Sequence, residues 1–244
     1  MVERMMVRQE CTEDDEDALL PLFLDLSSRL VVIFGGGAVG QRKAELFSRY
    51  GPVRVCSLDF SEGLLELAAK RSDRMETIRC DLYAGLSHHL QGAFLAVPAT
   101  GDSRLNRAIE EECRARGILV NRVEGRGEVV VPSILRRGTV SIAISTQIPA
   151  LSRYLRLRLE EQLGENISEM ARLLSSIRQE SKARIPLQRD RAAAIRRILE
   201  DREVWRLLDL SYEKAYIRAR SHIRPDERDS LDAGDPPQGL DRRD

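Results

Sequence analysis

An apolar run that leads directly into a cluster of glycines constrains the fold of this chain more than any other feature. The segment VVIFGGGAVGQRKAEL, residues 31–46, has the pattern of a short buried strand, a turn and the start of a helix. Within it, Gly35, Gly37 and Gly40 have the spacing G-x-G-x-x-G. In a βαβ unit this spacing gives a tight turn, lets a pyrophosphate approach the backbone and lets the helix pack closely on the strand. The cluster predicts a dinucleotide site, with a purely structural turn as the alternative.

The segments that follow alternate between strand and helix patterns. Five short β-rich runs are separated by stretches with helical periodicity, and they are LVVIF, VRVCS, ETIRC, AFLAV and ILVNRV. This alternation is typical of βαβ units, so the predicted fold class is α/β with a Rossmann-type parallel sheet. Two further runs, EVVVP and TVSIAIS, predict a pair of strands with a turn at RRG between them. After Pro149, four amphipathic segments predict a helical domain; the last of them is EVWRLLDLSYEKAYIRAR.

An acidic residue after the second strand indicates which dinucleotide binds. Asp59 follows the run VRVCS and lies 19 residues after Gly40. A carboxylate there accepts hydrogen bonds from a ribose 2′-hydroxyl and repels the 2′-phosphate of NADP, so NAD is the predicted cofactor. Ala99 and Thr100 end the fourth strand at the same edge of the sheet. There they either contact the cofactor or lead into a helix that Thr100 or Asp102 caps.

Charge is informative locally and not globally. The 244 residues include 39 basic and 39 acidic side chains, so nothing in the net charge favours nucleic acid or a membrane as partner. No apolar run has the roughly 18 residues that a spanning helix needs, and the acidic start is unlike a signal peptide, so a cytoplasmic protein is predicted. Between Val120 and Arg158 there are seven arginines and two glutamates. This excess suits a small polyanion, with a solvated helix face as the alternative for Arg153 and its neighbours.

Glu124 is the candidate acid or base. It follows the fifth predicted strand on a glycine-rich segment at the carboxyl edge of the sheet. A carboxylate there can act as a general base, and a solvated loop glutamate is the alternative.

The cysteines and histidines form no recognisable metal motif. No CxxC pair is present, and the thiols are expected to be reduced and mostly buried. The cysteines are Cys11, Cys56, Cys80 and Cys113. The pair His88–His89 has no acid or cysteine at ligand spacing, so no metal site is predicted.

Several of these segments together resemble a known family. They are LLPLFLDLSSRLVVIFGGGAVGQRKAEL, AFLAVPAT, ILVNRVEG, VPSILRRGTVSIAIST and ALSRYLRLRLEE. The resemblance is to the precorrin-2 dehydrogenases, which include the N-terminal module of siroheme synthases and bifunctional sirohydrochlorin ferrochelatases. It runs from about Leu20 to Glu161 and more weakly through the helices beyond. It implies NAD-dependent oxidation of precorrin-2, a polycarboxylate macrocycle, to sirohydrochlorin in siroheme synthesis, and in bifunctional members metal chelation.

The resemblance also implies roles for individual residues. NAD contacts fall to Ala38 and Val39 beside the glycines and to Leu58 and Asp59 after the second strand. Glu124, where the family typically has an aspartate, is the implied catalytic residue. The loop from Ser145 to Pro149 is shorter than the family's usual glycine-rich form. The implied substrate-binding residues are Asn121, Pro132, Ser133, Ser145, Thr146 and Arg153.

The predicted organisation follows from pattern and resemblance together. A Rossmann domain that binds NAD covers residues 20–125, dimerisation strands cover 126–148 and a helical domain covers 149–223, between flexible tails at 1–19 and 224–244. The apolar positions of the helices are too many for one surface layer, so a homodimer is expected, with packing onto the sheet as the alternative. The competing functional class is a non-catalytic Rossmann dimer that senses NAD or a tetrapyrrole.

Overall fold

The computed structural model describes residues 19–125, 127–146, 148–164 and 166–223. The predicted tails fall outside these ranges except for Leu19, as do Cys11, Arg126 and Gln147. The chain divides into two compact units, and the division lies between Val130 and Val131.

A parallel sheet of five strands forms the first unit. Its strands are β1 (Leu30–Gly36), β2 (Val53–Phe60), β3 (Met75–Arg79), β4 (Ala93–Pro98) and β5 (Leu119–Val120). The helices between them are α1 (Ala38–Phe47), α2 (Glu62–Lys70), α3 (Leu82–His89) and α4 (Ser103–Ala115). The strand order is β3-β2-β1-β4-β5, and every neighbouring pair is parallel. The predicted α/β class is therefore confirmed, and the order reverses between β1 and β4, where open α/β sheets bind their ligands.

The central strand is apolar on both faces because helices cover both. Val32 and Phe34 of β1 are fully buried and pack with Cys56, Leu82 and Ile109 in one cluster on one side of the sheet. This near-continuous burial is what a strand in the middle of a parallel sheet requires.

Asp102 is the cap of α4. Its carboxylate accepts hydrogen bonds from the backbone N–H groups of Arg104 at 2.8 Å and Leu105 at 3.3 Å. These bonds satisfy two of the amides that have no acceptor within the first turn of the helix. Thr100, the other predicted cap, points its hydroxyl elsewhere and donates to Asn106 Oδ1 at 2.7 Å.

The second unit begins with an antiparallel hairpin of β6 (Ser133–Arg137) and β7 (Val140–Ile144). The predicted turn is confirmed, because Gly138 at φ +56° lies between the two strands. The predicted strand EVVVP is wrong, since no strand precedes Ser133 in this segment. The backbone N–H of Val129 donates to the carbonyl of Val120 at 3.1 Å, which fixes the segment beside β5 before the hairpin begins.

Helices complete the second unit. They are α5 (Pro149–Gln162), α6 (Asn166–Arg184), α7 (Gln188–Glu200), α8 (Arg202–Leu208) and α9 (Tyr212–Arg220). The last predicted segment is two helices and not one, because Ser211 is extended and its hydroxyl accepts from the N–H of Lys214 at 3.4 Å, which caps a new helix. Leu173 and Ile177 of α6 and Ile198 of α7 are fully buried in a core that the helices from α6 to α9 share. In the part of the chain that the structure describes, no helix is long and apolar enough to cross a membrane.

Candidate active site

The glycine turn lies at the point where the strand order reverses. Gly35 has φ +120°, and a Cβ on it would lie 2.3 Å from the carbonyl oxygen of Ala99 at the end of β4. A Cβ on Gly40 would lie 1.9 Å from the carbonyl oxygen of Gly35. Backbone therefore occupies the space that side chains at these two positions would need. Gly37 differs, because nothing lies within 4 Å of its Cβ position and it faces open space.

The start of α1 offers a binding surface for phosphate. Gly37 is the N-cap residue of α1 and has no side chain that could accept a hydrogen bond from the first turn. The first hydrogen bond within the helix is donated by the N–H of Gln41 to the carbonyl of Gly37, at 2.9 Å. The N–H groups of Ala38, Val39 and Gly40 consequently have no acceptor within the helix. Unpaired amides and the positive end of the helix dipole favour an anion, so these residues fit the pyrophosphate of a dinucleotide.

A cavity of about 250 Å³, which we call the glycine cavity, opens beside the turn. Its lining combines the glycine turn with the ends of β2 and β4 and the start of α3. The predicted cofactor residues among its lining are Gly35, Gly37, Leu58, Ala99 and Thr100. Asp59 is not part of this lining. Its carboxylate is largely exposed and lies 3.2 Å from Nη1 of Arg79.

A second cavity, of about 380 Å³, contains Glu124, and we call it the glutamate cavity. Val39, Ala99 and Thr100 also line it, and Ala99, Thr100 and Gly101 belong to both cavities. The structure thus brings the predicted catalytic residue and three predicted cofactor residues to one continuous edge of the sheet.

Four residues of α4 line the glutamate cavity, and two of them, which were not predicted, form hydrogen bonds that hold its wall. Asn106 Oδ1 accepts from the N–H of Thr100 at 3.1 Å, and Asn106 Nδ2 donates to the carbonyl of Thr100 at 3.1 Å, so it fixes the end of β4. Glu110, one turn further along, accepts from Nε of Arg122 at 3.0 Å. Polar residues four apart on the helix after β4 share one face, and this spacing is the signal that could have indicated them.

Asn121 is buried, and both ends of its side-chain amide are used within the protein. Its Oδ1 accepts from Nζ of Lys43 at 2.7 Å, and its Nδ2 donates to the carbonyl of Val129 at 2.7 Å. Burial, and then the nearby charge of Arg42, lowers the pKa of Lys43. Asn121 therefore joins α1 to the segment after β5 and fits a role in holding the loop of Glu124. The predicted contact with substrate stays a prediction.

The other predicted substrate residues lie in the second unit. They are Pro132, Ser133, Ser145, Thr146 and Arg153. Ser133 pairs with Ile144 across the hairpin, so Ser133 and Ser145 lie at the same end of it. Thr146 is tied to the start of α5, because its N–H donates to Ser152 Oγ at 2.9 Å and its hydroxyl donates to the carbonyl of Ile148 at 2.6 Å.

Part of the arginine charge is neutralised within the second unit. Arg156 Nη1 lies 2.6 Å from Oε2 of Glu160, and Arg137 Nη2 lies 3.8 Å from Oε1 of the same residue. Glu160 lies just beyond the segment from Val120 to Arg158, so the excess of arginines in that segment is larger than the local charge in the fold. Arg153 is exposed and has no ion pair among the residues that the structure describes, so its guanidinium is available to a ligand.

Comparison with known proteins identifies the family. The family model NAD_binding_7, described as "Putative NAD(P)-binding", matches residues 22–133. The precorrin-2 dehydrogenase of Methanosarcina barkeri is 42% identical over 210 residues, which cover 84% of this chain and 93% of that protein. The chain belongs to the precorrin-2 dehydrogenase family. The resemblance seen in the motifs is thereby confirmed.

Other relatives agree with this family. Siroheme synthase 1 of Pectobacterium atrosepticum is 36% identical over 171 residues, which cover 68% of this chain and 35% of that longer protein. The match to the solved structure of SirC, a precorrin-2 dehydrogenase, spans 86% of this chain and 99% of the SirC chain, with a TM-score of 0.66 and 22% identity. At that identity the likeness supports the fold.

Proposed function

We propose that this chain oxidises precorrin-2 to sirohydrochlorin with NAD⁺ as cofactor. One observation carries the proposal within the family: Glu124 lines a cavity with Val39, Ala99 and Thr100, which lie beside the glycine turn. A proton acceptor and a dinucleotide site at one edge of the sheet are the two parts that such an oxidation needs.

The chain's own residues bind and orient the cofactor. The amides at the start of α1 bind the pyrophosphate, and the open space at Gly37 lets it approach the backbone. When bound, NAD⁺ supplies the acceptor for a hydride that leaves a ring carbon of the macrocycle. Asp59 accepts hydrogen bonds from the ribose hydroxyls. Its pair with Arg79 is exposed on both sides and so contributes little, which leaves the carboxylate free to exchange partners.

Glu124 takes up the proton that the substrate loses together with the hydride. Its side chain is exposed at the glutamate cavity, so the proton passes from its carboxylate to solvent. The glutamate is one methylene longer than the aspartate typical of the family, and it shares its cavity with the polar residues Asn106, Glu110 and Arg122. Arg107 lines the same cavity, and its guanidinium suits a carboxylate of the macrocycle. The substrate contact of Arg153 stays a prediction.

We further infer that the protein is a homodimer. Among the described residues of α5, only Ser152 is buried within its unit. Leu151, Tyr154, Leu155 and Leu157 of this helix are 43%, 55%, 37% and 42% exposed. A row of exposed apolar side chains favours burial against a partner, and a second copy of the chain offers the same surface. Sedimentation analysis of the protein and of Leu155→Asp tests this, with a monomeric variant as the expected result.

Two variants test the catalytic role of Glu124 against a matched control. Glu128 lies four residues away, and its Oε2 accepts from the N–H of Val120 at 3.2 Å, so its role is structural. Glu124→Gln is expected to bind NAD⁺ and precorrin-2 normally but to lose roughly a hundredfold or more in kcat, the range typical of a general base. Glu128→Gln keeps its turnover. Turnover at the parent rate in both variants would contradict the role of Glu124, whereas a parent protein that binds NAD⁺ without turnover would favour the non-catalytic alternative.

The chelatase activity of bifunctional relatives stays a separate prediction. If it is present, ferrous iron enters sirohydrochlorin faster with the protein than without it. Equal rates would confine the chain to the oxidation.

A further inference from the structure

Three side chains that are typical metal ligands converge outside the candidate active site. The sulfur atoms of Cys56 and Cys80 and a ring nitrogen of His89 all lie within 4.8 Å of one another. Cys56 is buried on β2, Cys80 follows β3, and His89 is the last residue of α3. No two of the three are close in sequence, which is why their spacing gives no metal motif.

The sheet register explains why the two cysteines meet. Cys56 of β2 pairs with Ile78 of β3, and Cys80 lies two residues beyond Ile78. Residues two apart on a strand point to the same face, so both thiols face the side of the sheet that α3 covers. The backbone N–H of Cys80 donates to the carbonyl of Ser57 at 3.0 Å, which continues the pairing of β2 and β3 as far as this residue.

The histidine has an unsatisfied nitrogen. Nδ1 of His89 is buried and has no hydrogen-bond partner within the described part of the chain. Buried polar atoms are nearly always paired, so an unpaired nitrogen on a ring that meets two thiols indicates a ligand. The backbone of this residue is held in place, because Nη1 of Arg54 donates to the carbonyl of His89 at 3.4 Å. The charge of Arg54 is itself offset by Glu76, whose Oε2 lies 2.9 Å from its Nε.

We propose that Cys56, Cys80 and His89 bind one zinc ion. Thiolate sulfur and imidazole nitrogen are the ligands that zinc prefers, in tetrahedral geometry. In such a site the ligand atoms lie about 3.5–4 Å apart, so small side-chain adjustments bring the present cluster to binding distance. Two thiolates balance the charge of the ion. Cys80 and His89 are half-buried, so a water molecule can take the fourth position.

The ion would fasten the wall of the glycine cavity. Ser57 and Asp81, which line that cavity, directly follow Cys56 and Cys80 in the chain. A metal held by β2, by the end of β3 and by α3 connects three elements that the sequence separates. The expected role is structural, so this proposal is independent of the oxidation proposed above.

Metal titration of the full chain tests the site. The protein is reduced and freed of metal, and it carries Cys11→Ser because Cys11 lies outside the described residues. Co²⁺ serves as the spectroscopic probe, since tetrahedral thiolate ligation gives intense visible bands and thiolate charge-transfer bands. We expect one Co²⁺ per chain, displacement of these bands by one equivalent of Zn²⁺, and a rise in the melting temperature with Zn²⁺. A titration without the thiolate spectrum would overturn the proposal.

Matched variants locate the metal. Cys80→Ser and His89→Gln replace half-buried residues, and each is expected to weaken zinc binding roughly tenfold or more. The thiol control is Cys113→Ser, because Cys113 is a buried cysteine of α4 that lies outside the cluster. The imidazole control is His88→Gln. Variants that fold, as judged by circular dichroism, should separate into these two groups, and control variants that lose as much affinity as the ligand variants would refute the site.

Discussion

The turn after β1 and the loop between β7 and α5 both carry residues that the family resemblance assigns to ligands, but they are built differently. At the turn, backbone fills the space around Gly35 and Gly40, and carbonyl oxygens lie where a Cβ would be. In the loop, the hydroxyl of Thr146 makes contacts with Ser152 Oγ and with the carbonyl of Ile148.

The difference teaches which kind of site is visible in a sequence. A backbone-built site needs glycine at fixed spacings, so its pattern can be read directly. A site built by side chains can be formed by many residue types, and its strength depends on contacts that only the fold supplies. We therefore expect mutations to lower the free energy of unfolding most at the glycine turn and least at Arg153.

The largest effect is expected at Gly40. In Gly40→Ala the new methyl group would collide with the carbonyl of Gly35, so α1 must move, and we expect a loss of about 3 kcal/mol in the free energy of unfolding. Gly37→Ala is the control, because its Cβ meets nothing in the protein and stability changes by about 1 kcal/mol or less. Its methyl group would nevertheless occupy the space of the pyrophosphate and reduce NAD⁺ affinity. Urea unfolding measures the stability of the two variants, and cofactor titration measures their NAD⁺ affinity. Equal stability of the two variants would contradict the claim that backbone fills the space at Gly40 and not at Gly37.

A smaller effect is expected where a side chain holds the edge of the same unit. Asn121→Ala leaves the ammonium group of Lys43 and the carbonyl of Val129 without their partner, which costs about 2 kcal/mol in the free energy of unfolding. The loop that carries Glu124 loses its support at the same time, so kcat should fall although Glu124 is intact. Unchanged kcat in a folded Asn121→Ala protein would argue against the positioning role.

In the second unit, removal of one hydroxyl is expected to matter less. Thr146→Val keeps the shape of the side chain but removes the bonds to Ile148 and Ser152, for a loss of about 1 kcal/mol. Ser145→Ala, at the exposed neighbouring position, should leave the melting temperature unchanged. A larger loss from the serine variant would mean that the loop is organised around Ser145.

The smallest effect on stability is expected at Arg153. Its side chain is exposed and forms no ion pair with the described residues, so Arg153→Ala should unfold at the same urea concentration as the parent. If it binds a carboxylate of the macrocycle, KM for precorrin-2 should rise several-fold while kcat stays constant. Arg156→Ala is the control, since Arg156 is already engaged with Glu160. A rise in KM for that variant alone would move the substrate contact to Arg156.

The sequence predicted what local geometry dictates and missed what distant contacts decide. The glycine turn after β1, the parallel α/β sheet and the turn at Gly138 follow from local sequence patterns, and the structure has all three. The strand predicted at EVVVP was wrong because Val129 is bonded to Val120 and to the side chain of Asn121. The pairing of Glu160 with two arginines, and the meeting of two cysteines with a histidine, arise only when separate elements pack.

The central claim is that the edge of the sheet between β1 and β4 carries out an oxidation with NAD⁺. The most direct test is anaerobic incubation of the purified chain with precorrin-2 and NAD⁺, with NADH and sirohydrochlorin measured in the same sample. We predict that the two products form in equal amounts and that NADP⁺ at the same concentration gives a much slower reaction, because the proposed position of Asp59 beside the ribose would repel its 2′-phosphate. Binding of NAD⁺ without formation of either product would contradict the claim and favour a sensing dimer.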